Sequence, residues 1–390
     1  MQQRWRSAAL GAALAFGLAG GAAHAQDVIK IGGIGPLSGG GTGWGLAVQR
    51  GLELAVDDLN AAGGAKVGGK SYKYELIVYD DQYSGQGGKA AAERLVNQDK
   101  VNFIIGPVGS PPALGVISVT NAAKVLALTN GYAKPILQND TKDPYNFRIY
   151  NTNIEFGPPI VKWIKENIPA IKKIGMLAPN DAVGQFVAPA MADDYRKQGF
   201  EVELDLFERG TKEFTPGILR MMAKKVDAFD FDGNAPGDAG LMLKQIRQAG
   251  FRGAVMQVGG PGIDEIVEIA GPAAEGFMSY DIYDWDSAPG QKLKAAYEKR
   301  YGKGIINIFV PFFYHAALLL NESIKRADSI DTDKVRAALM TTDGYDAGVL
   351  GAPIKWTGKE TYGINHQLLN RYYFSEIKGG KIVKKASFNP

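Results

Sequence analysis

The chain has 390 residues, 45% of them hydrophobic and 22% charged, which fits a globular protein of two or at most three domains. It contains no cysteine, so disulfides, a thiol nucleophile, a thiolate metal site and a lipidated N-terminal cysteine are all excluded. The formal charge of +3 falls to about +1 without Arg4 and Arg6, too small a basic excess for a nucleic-acid partner.

Residues 1–25 read as a cleavable secretory leader. Arg4 and Arg6 give a positive start, Ala8 to Ala19 an apolar centre, and Ala23-His24-Ala25 a small-residue end. Cleavage after Ala25 would export the chain, and an exported protein without cysteine fits the periplasm of a Gram-negative bacterium. No later segment is long and apolar enough to span a bilayer; Ile305 to Leu320 is broken by Asn307, Pro311 and His315.

The mature chain opens with Ile29 to Gly45, an apolar run that turns into glycines, Ser38, Thr42 and Trp44. Leu52, Ala55, Val56 and Leu59 follow at helical spacing, so the order is strand, glycine-rich loop, helix. Such a loop at the carboxyl end of a strand is where α/β proteins hold small ligands. Further strands are expected at Tyr74 to Asp80, Val101 to Gly106 and Val125 to Thr129, with helices at Leu46 to Ala62, Gly87 to Gln98 and Pro112 to Ala123. After Asn146 to Asn153 the pattern restarts. Strands are expected at Ile174 to Ala178, Glu201 to Phe207, Val226 to Asp232, Ala254 to Val258 and Gly276 to Tyr280, again with helices between. Two such series imply two doubly wound, mostly parallel sheets.

The tail differs. Helices at Pro289 to Tyr301, Val310 to Ala327 and Thr332 to Leu339 precede a turn-rich stretch, Gly344 to Gly358. A last strand pair, Gln367 to Ile377 and Lys381 to Lys385, turns at Gly379-Gly380. Helices without new strands must pack on a sheet already built. The chain is therefore expected to divide into a first lobe of residues 26–147 and 281–353 and a second of 148–280 and 354–390, joined by a multi-strand hinge.

Gly64 to Ser71 fits a phosphate-loop pattern letter for letter, but a helix precedes it and a strand follows, the inverse of what phosphate binding needs. It reads as a helix end followed by a turn. The opening loop does not complete a dinucleotide fingerprint either, because Ser38 stands where the third glycine belongs. Two more strand ends match it in kind: Ile104 to Ser110, which includes Gly109, and Leu128 to Tyr132, which includes Thr129 and Asn130. Singly, Ser110 and Thr129 also suit a helix cap or a turn. Three such ends at one sheet edge point to a carboxylate, held by small polar groups and helix N-termini.

Catalytic chemistry is poorly supplied. Only His315 and His366 remain after the leader, with no paired histidines and no G-x-S-x-G, and neither a metal nor a cofactor is expected. Tyr280 to Asp286, an acidic and aromatic run, reads as hinge and cleft wall.

The ordered set Ile31 to Gly45, Gly51 to Gly64, Val78 to Asp81, Phe103 to Pro107, Ile174 to Pro179 and Asp227 to Gly240 resembles the leucine-binding (branched-chain amino acid) family of periplasmic receptors for ABC importers. The resemblance covers Ile29 to about Val383 and implies the type I two-lobe periplasmic binding fold, with no enzymatic activity. It implies that Ser110 and the Thr129 to Tyr132 turn clamp a ligand carboxylate and that Trp44 covers it. It also implies delivery to an inner-membrane ABC permease, by a chain read as a monomer.

In the second lobe the chain departs from that pattern. Gly259 to Gly262, including Gly260, stands where amino-acid receptors hold an acid, and Val183-Gly184 where many hold an aromatic. Asp232 or Asp281 can supply the missing charge, whereas Asn234 suits a neutral hydroxyl or amide. With Trp44, Tyr132, Tyr150 and Tyr283 at the cleft, and Ser38 on its rim, the ligand is a branched-chain amino acid or an aromatic or aliphatic acid. A periplasmic sensor of the same fold and an exported hydrolase are the rival readings.

Overall fold

The computed structural model describes residues 27–138, 145–260 and 262–389. The expected leader lies outside the described residues.

The chain begins with β1 (Val28–Gly35), α1 (Thr42–Ala61), a hairpin of β2 (Ala65–Val67) and β3 (Lys70–Asp80), α2 (Gly85–Asn97), β4 (Phe103–Val108), α3 (Ser110–Ala123), β5 (Leu126–Asn130) and β6 (Asn146–Arg148). It continues through α4 (Asn153–Asn167), β7 (Lys173–Pro179), a π-helical turn Val183–Val187, α5 (Ala188–Lys197), β8 (Glu201–Phe207), α6 (Thr215–Ala223), β9 (Ala228–Asp230), α7 (Pro236–Gln248), β10 (Ala254–Gln257), α8 (Ile263–Ala270) and β11 (Phe277–Asp281). The tail comprises α9 (Ala288–Tyr301), α10 (Val310–Ala327), α11 (Thr332–Leu339), β12 (Lys355–Thr357), α12 (Lys359–Tyr362), β13 (Gln367–Leu369), β14 (Tyr372–Lys378) and β15 (Lys381–Phe388).

These strands form two sheets, in the orders β12-β13-β6-β5-β4-β1-β3-β2 and β15-β14-β11-β10-β9-β7-β8. The central strands of each are parallel, because helices return the chain across the sheet faces. Register aligns their carboxyl ends. Gly35 sits level with Asp80, and Val108 level with Asn130, so the loops after β1, β3, β4 and β5 leave the first sheet side by side.

The phosphate-loop look-alike is a helix end running into a β-hairpin. Gly63 and Gly64 take φ of +101° and +79°, and Gly68 and Gly69, also at positive φ, turn β2 into β3. Nothing there converges on a phosphate.

The tail helices pack on the first sheet's layer. Gly51 of α1 lets α10 approach so closely that a β-carbon would strike the Val310 carbonyl. Tyr74 of β3 donates to Asn321 of α10 at 2.8 Å. The expected final strand Gln367 to Ile377 is two strands instead. β13 lies beside β6 in the first sheet and β14 beside β11 in the second. The chain passes between them at Asn370-Arg371, where the Asn151 side chain donates to the Asn370 carbonyl (2.7 Å) and accepts from its amide (2.7 Å). The last passage between sheets thus follows Leu369 rather than residue 354. Two buried asparagine contacts hold it.

Candidate ligand-binding cleft

Four loops of the first sheet meet three loops of the second around a small cavity. Its walls are Trp44, Tyr83, Val108, Tyr132 and Phe309 with Gly109, Ser110, Asn130 and Gly131 on one side. Val183, Val187, Gly233 and Gly260 close the other. No charged side chain is among these described lining residues.

Of the expected ligand residues, the structure brings Trp44, Gly109, Ser110, Asn130, Tyr132, Val183 and Gly260 to this cavity. Ser110 is the first residue of α3. Its hydroxyl oxygen accepts the amides of Tyr132 (3.0 Å) and Ala133 (2.9 Å), which fixes the turn after β5 and leaves the hydroxyl hydrogen to be donated. Pro111 and Pro112 carry no N–H, so the Ser110 amide and hydroxyl are the donors at this helix start. Gly109 precedes them at φ +102°, against the Tyr83 ring, where a side chain would collide. Asn130 is buried with no partner for Nδ2 among the described residues. Trp44 packs against Tyr83 and Phe309 with ring centroids 5.6 and 6.2 Å apart.

The other expected residues stand apart from the cavity. Ser38 is exposed and donates to Asp80 at 2.7 Å, tying the glycine loop to the end of β3. Thr129 turns towards β6, donating to Asn146 Oδ1 (3.0 Å) and the Phe147 carbonyl (3.2 Å). Tyr150 stacks behind Tyr132 at 5.9 Å. Asp232 and Asn234 are buried within the second lobe, flanking the lining residue Gly233. Asp281 accepts the amide of Ile282 at 2.7 Å and lines a separate groove with Tyr283, Asp264 and Lys384. Burial raises its carboxyl to about 7.

Gly131 enters with the expected Thr129 to Tyr132 turn, and Tyr83, Val108, Val187, Gly233 and Phe309 complete the cavity without being among the expected ligand residues. Tyr83 follows Asp80 and Asp81 at the end of β3, and it is the sheet order, with β3 beside β1, that brings it to the cavity. Phe309 stands at the start of the aromatic helix that also holds His315. That histidine is buried in α10, where desolvation lowers it to about 4. Val183 and Val187 bracket the π-helical turn, a distortion that often marks functional sites.

The two sides of the cavity touch directly. The Gly260 amide donates to the Tyr132 hydroxyl at 3.3 Å. Arg209, on the loop after β8, lies 4.5 Å over the Tyr83 ring and is held by Asp181 (2.7 Å) and Asp238 (3.5 Å). Asn307 donates to Glu265 at 2.5 Å. The arrangement is a closed cleft between two lobes, built for enclosure. Among the described residues no group of histidines and carboxylates is placed to hold a metal ion.

Comparison with known proteins agrees with this geometry. A leucine-, isoleucine-, valine-, threonine- and alanine-binding protein of Pseudomonas aeruginosa is 29% identical over 330 residues, 83% of this chain and 86% of that one. The crystal structure of a leucine-binding protein from Thermotoga maritima superposes with a TM-score of 0.80 at 22% identity, covering 93% of this chain and 99% of that one. A solute-binding protein of an ABC transporter from Rhodopseudomonas palustris, solved in complex with 3,4-dihydroxybenzoic acid, gives a TM-score of 0.78 at 25% identity over 93% and 98% of the two chains. The family model for periplasmic binding proteins matches residues 28–381, and the chain belongs to that family of solute-binding proteins, which are not enzymes.

Proposed function

We propose that this chain is the periplasmic receptor of an ABC importer, capturing a small carboxylate-bearing solute between its lobes and presenting the closed form to an inner-membrane permease. Residues 1–25 would direct its export, and it would act as a monomer. The single observation that carries the ligand class is the cavity lining: aromatic and aliphatic walls, no charged side chain among the described residues, and the N-terminus of α3 at Ser110. A helix N-terminus with a hydroxyl donor binds an anion without a full positive charge. With no carboxylate in the lining to meet an ammonium, an aromatic or branched aliphatic acid suits the cavity best.

A branched-chain amino acid is the second reading. It is favoured by the Pseudomonas relative and by the buried Asp232 beside the lining residue Gly233. Ser110 serves either ligand. Ser110→Ala removes a hydrogen bond to a charged group, worth about 1.5–3 kcal/mol, and should weaken a carboxylate ligand roughly 10- to 150-fold by calorimetry. Unchanged affinity would remove Ser110 from the site.

A further inference from the structure

The second lobe presses two acids against the glycine loop of the first. Asp238, in the first turn of α7, meets Gly40, where a β-carbon would lie 3.3 Å from its Oδ1. Glu265, in the first turn of α8, meets Gly43 at the start of α1, where a β-carbon would lie 3.1 Å from its Oε1. Gly40 and Gly43 thus leave room for one carboxyl group each. The two acids differ in what answers their charge. Asp238 has the Arg209 guanidinium at 3.5 Å. Glu265 has the neutral amide of Asn307, which donates to Oε1 at 2.5 Å from the loop before α10, and its Oε2 is buried with no partner among the described residues.

The elements around Glu265 do not supply the missing positive charge. On its own helix the charged neighbours are Asp264 and Glu268, both acids. α7, packed along α8, carries Asp238, Lys244 and Arg247; Lys244 is exposed, and Arg247 is occupied by the carbonyls of Phe251 and Gly253. β11 offers Asp281, and Lys294 of α9 acts on Asp264. Burial, the largest influence, raises the Glu265 carboxyl to about 7. The field at the start of α1 favours a charged carboxylate by less than tenfold, too little to reverse this. Asp230 is raised as well, but its partners Tyr195, Asp232 and Val258 all belong to its own lobe. Glu265 meets Gly43 and Asn307 only across the closed cleft.

We propose that closure of the cleft takes up a proton on Glu265, so that solute is held more tightly in mildly acidic surroundings than in alkaline ones. With the lobes apart, Glu265 loses Gly43 and Asn307 and faces water, where a glutamate gives up its proton near pH 4.3, to about a unit. With the lobes together, a proton on Oε2 removes the charge that burial opposes, while Oε1 still accepts from Asn307. A group that holds its proton more tightly in the closed form favours closure while protonated, and that contribution drains away as pH rises through about 7. Lobe closure, as proposed above, is all that this requires; the chemistry of the solute does not enter.

Calorimetry on the mature chain with benzoate and with leucine tests this at pH 6, 7 and 8.5 and, at pH 7, in buffers of different ionisation enthalpy. Whichever probe binds should do so roughly tenfold more tightly at pH 6 than at pH 8.5, taking up about half a proton at pH 7. Glu265→Gln is neutral at every pH and still able to accept from Asn307. It should bind without proton uptake and keep at pH 8.5 the affinity that the unsubstituted protein reaches at pH 6. Affinity that is independent of pH, or that weakens as pH falls, would overturn the proposal. A pH slope that survives in Glu265→Gln would overturn the role of Glu265. If neither probe binds, the carboxylate reading of the cleft fails, and small-angle scattering of the ligand-free protein decides the present point. Its radius of gyration should be smaller at pH 6 than at pH 8.5, and an equal radius at both would overturn proton-linked closure. The proton count is read on the unsubstituted protein, so a poorly folding variant does not blunt it.

Discussion

At the scale of single residues, the molecule buries several ionisable groups, most of which carry no local sign of burial in the sequence. Desolvation raises Asp81 to about 8 and Asp230 and Glu265 to about 7, and it lowers His315 and His366 to about 4. An acid whose folded value lies above its unfolded one favours folding while protonated, and that contribution is lost as pH rises through the folded value. A histidine held low in the fold contributes stability that is complete above its unfolded value, about 6.5, and is lost as pH falls towards 4. Between pH 6.5 and 8.5 the histidine contribution is constant while the carboxyl contributions drain away. The melting temperature of the ligand-free protein should therefore fall across that window, by several degrees in scanning calorimetry. A rise over the same window would show that these carboxyls are not buried as described. The sequence did suggest that His315 packs within an aromatic helix, because Phe309, Phe312, Phe313 and Tyr314 surround it along the chain. Nothing local marks Asp81 or Asp230, whose burial comes from neighbouring strands.

At the scale of elements, the strand ends organise the site. The glycine loop after β1, the start of α3 and the turn after β5 were legible because glycine, proline and small polar residues punctuate strand ends in a recognisable way. The loop after β3 was passed over, since Asp80-Asp81-Gln82-Tyr83 looks like an ordinary polar turn. Only sheet order shows that it neighbours the glycine loop. The break between β13 and β14 was hidden for a similar reason, because Gln367 to Ile377 is continuous in strand character and divides only where it changes sheets.

The loop after β3 also carries the clearest contact across the cleft. Arg209 stacks on Tyr83 while Asp181 and Asp238, on two other elements of the second sheet's layer, hold its guanidinium. A part-buried cation–π contact is worth about 0.5–2 kcal/mol. Arg209→Ala should speed ligand release roughly 2- to 30-fold, with a smaller effect on association, as stopped-flow kinetics would record. A release rate equal to that of the unsubstituted protein would mean that the contact does not hold the cleft shut.

At the scale of the whole molecule, alternating strand and helix made the two sheets readable, and the mid-chain pause at Asn146 to Asn153 marked the passage between them. The cavity was less readable, because part of each wall is backbone turned by glycine and its two sides are brought together from residues more than a hundred positions apart, such as Tyr132 and Gly260. The central claim is that this cavity selects a carboxylate through the Ser110 end of α3, and the most direct measurement sets an acid against its own carboxamide. Thermal shift of the mature protein with benzoate and benzamide, and with leucine and leucinamide, isolates the charge while keeping the shape. At least one acid should raise the melting temperature by several degrees at a hundredfold excess over its Kd, a stabilisation of about 2.7 kcal/mol, while its amide leaves it unmoved. An amide that stabilises the protein as strongly as its acid would contradict the account.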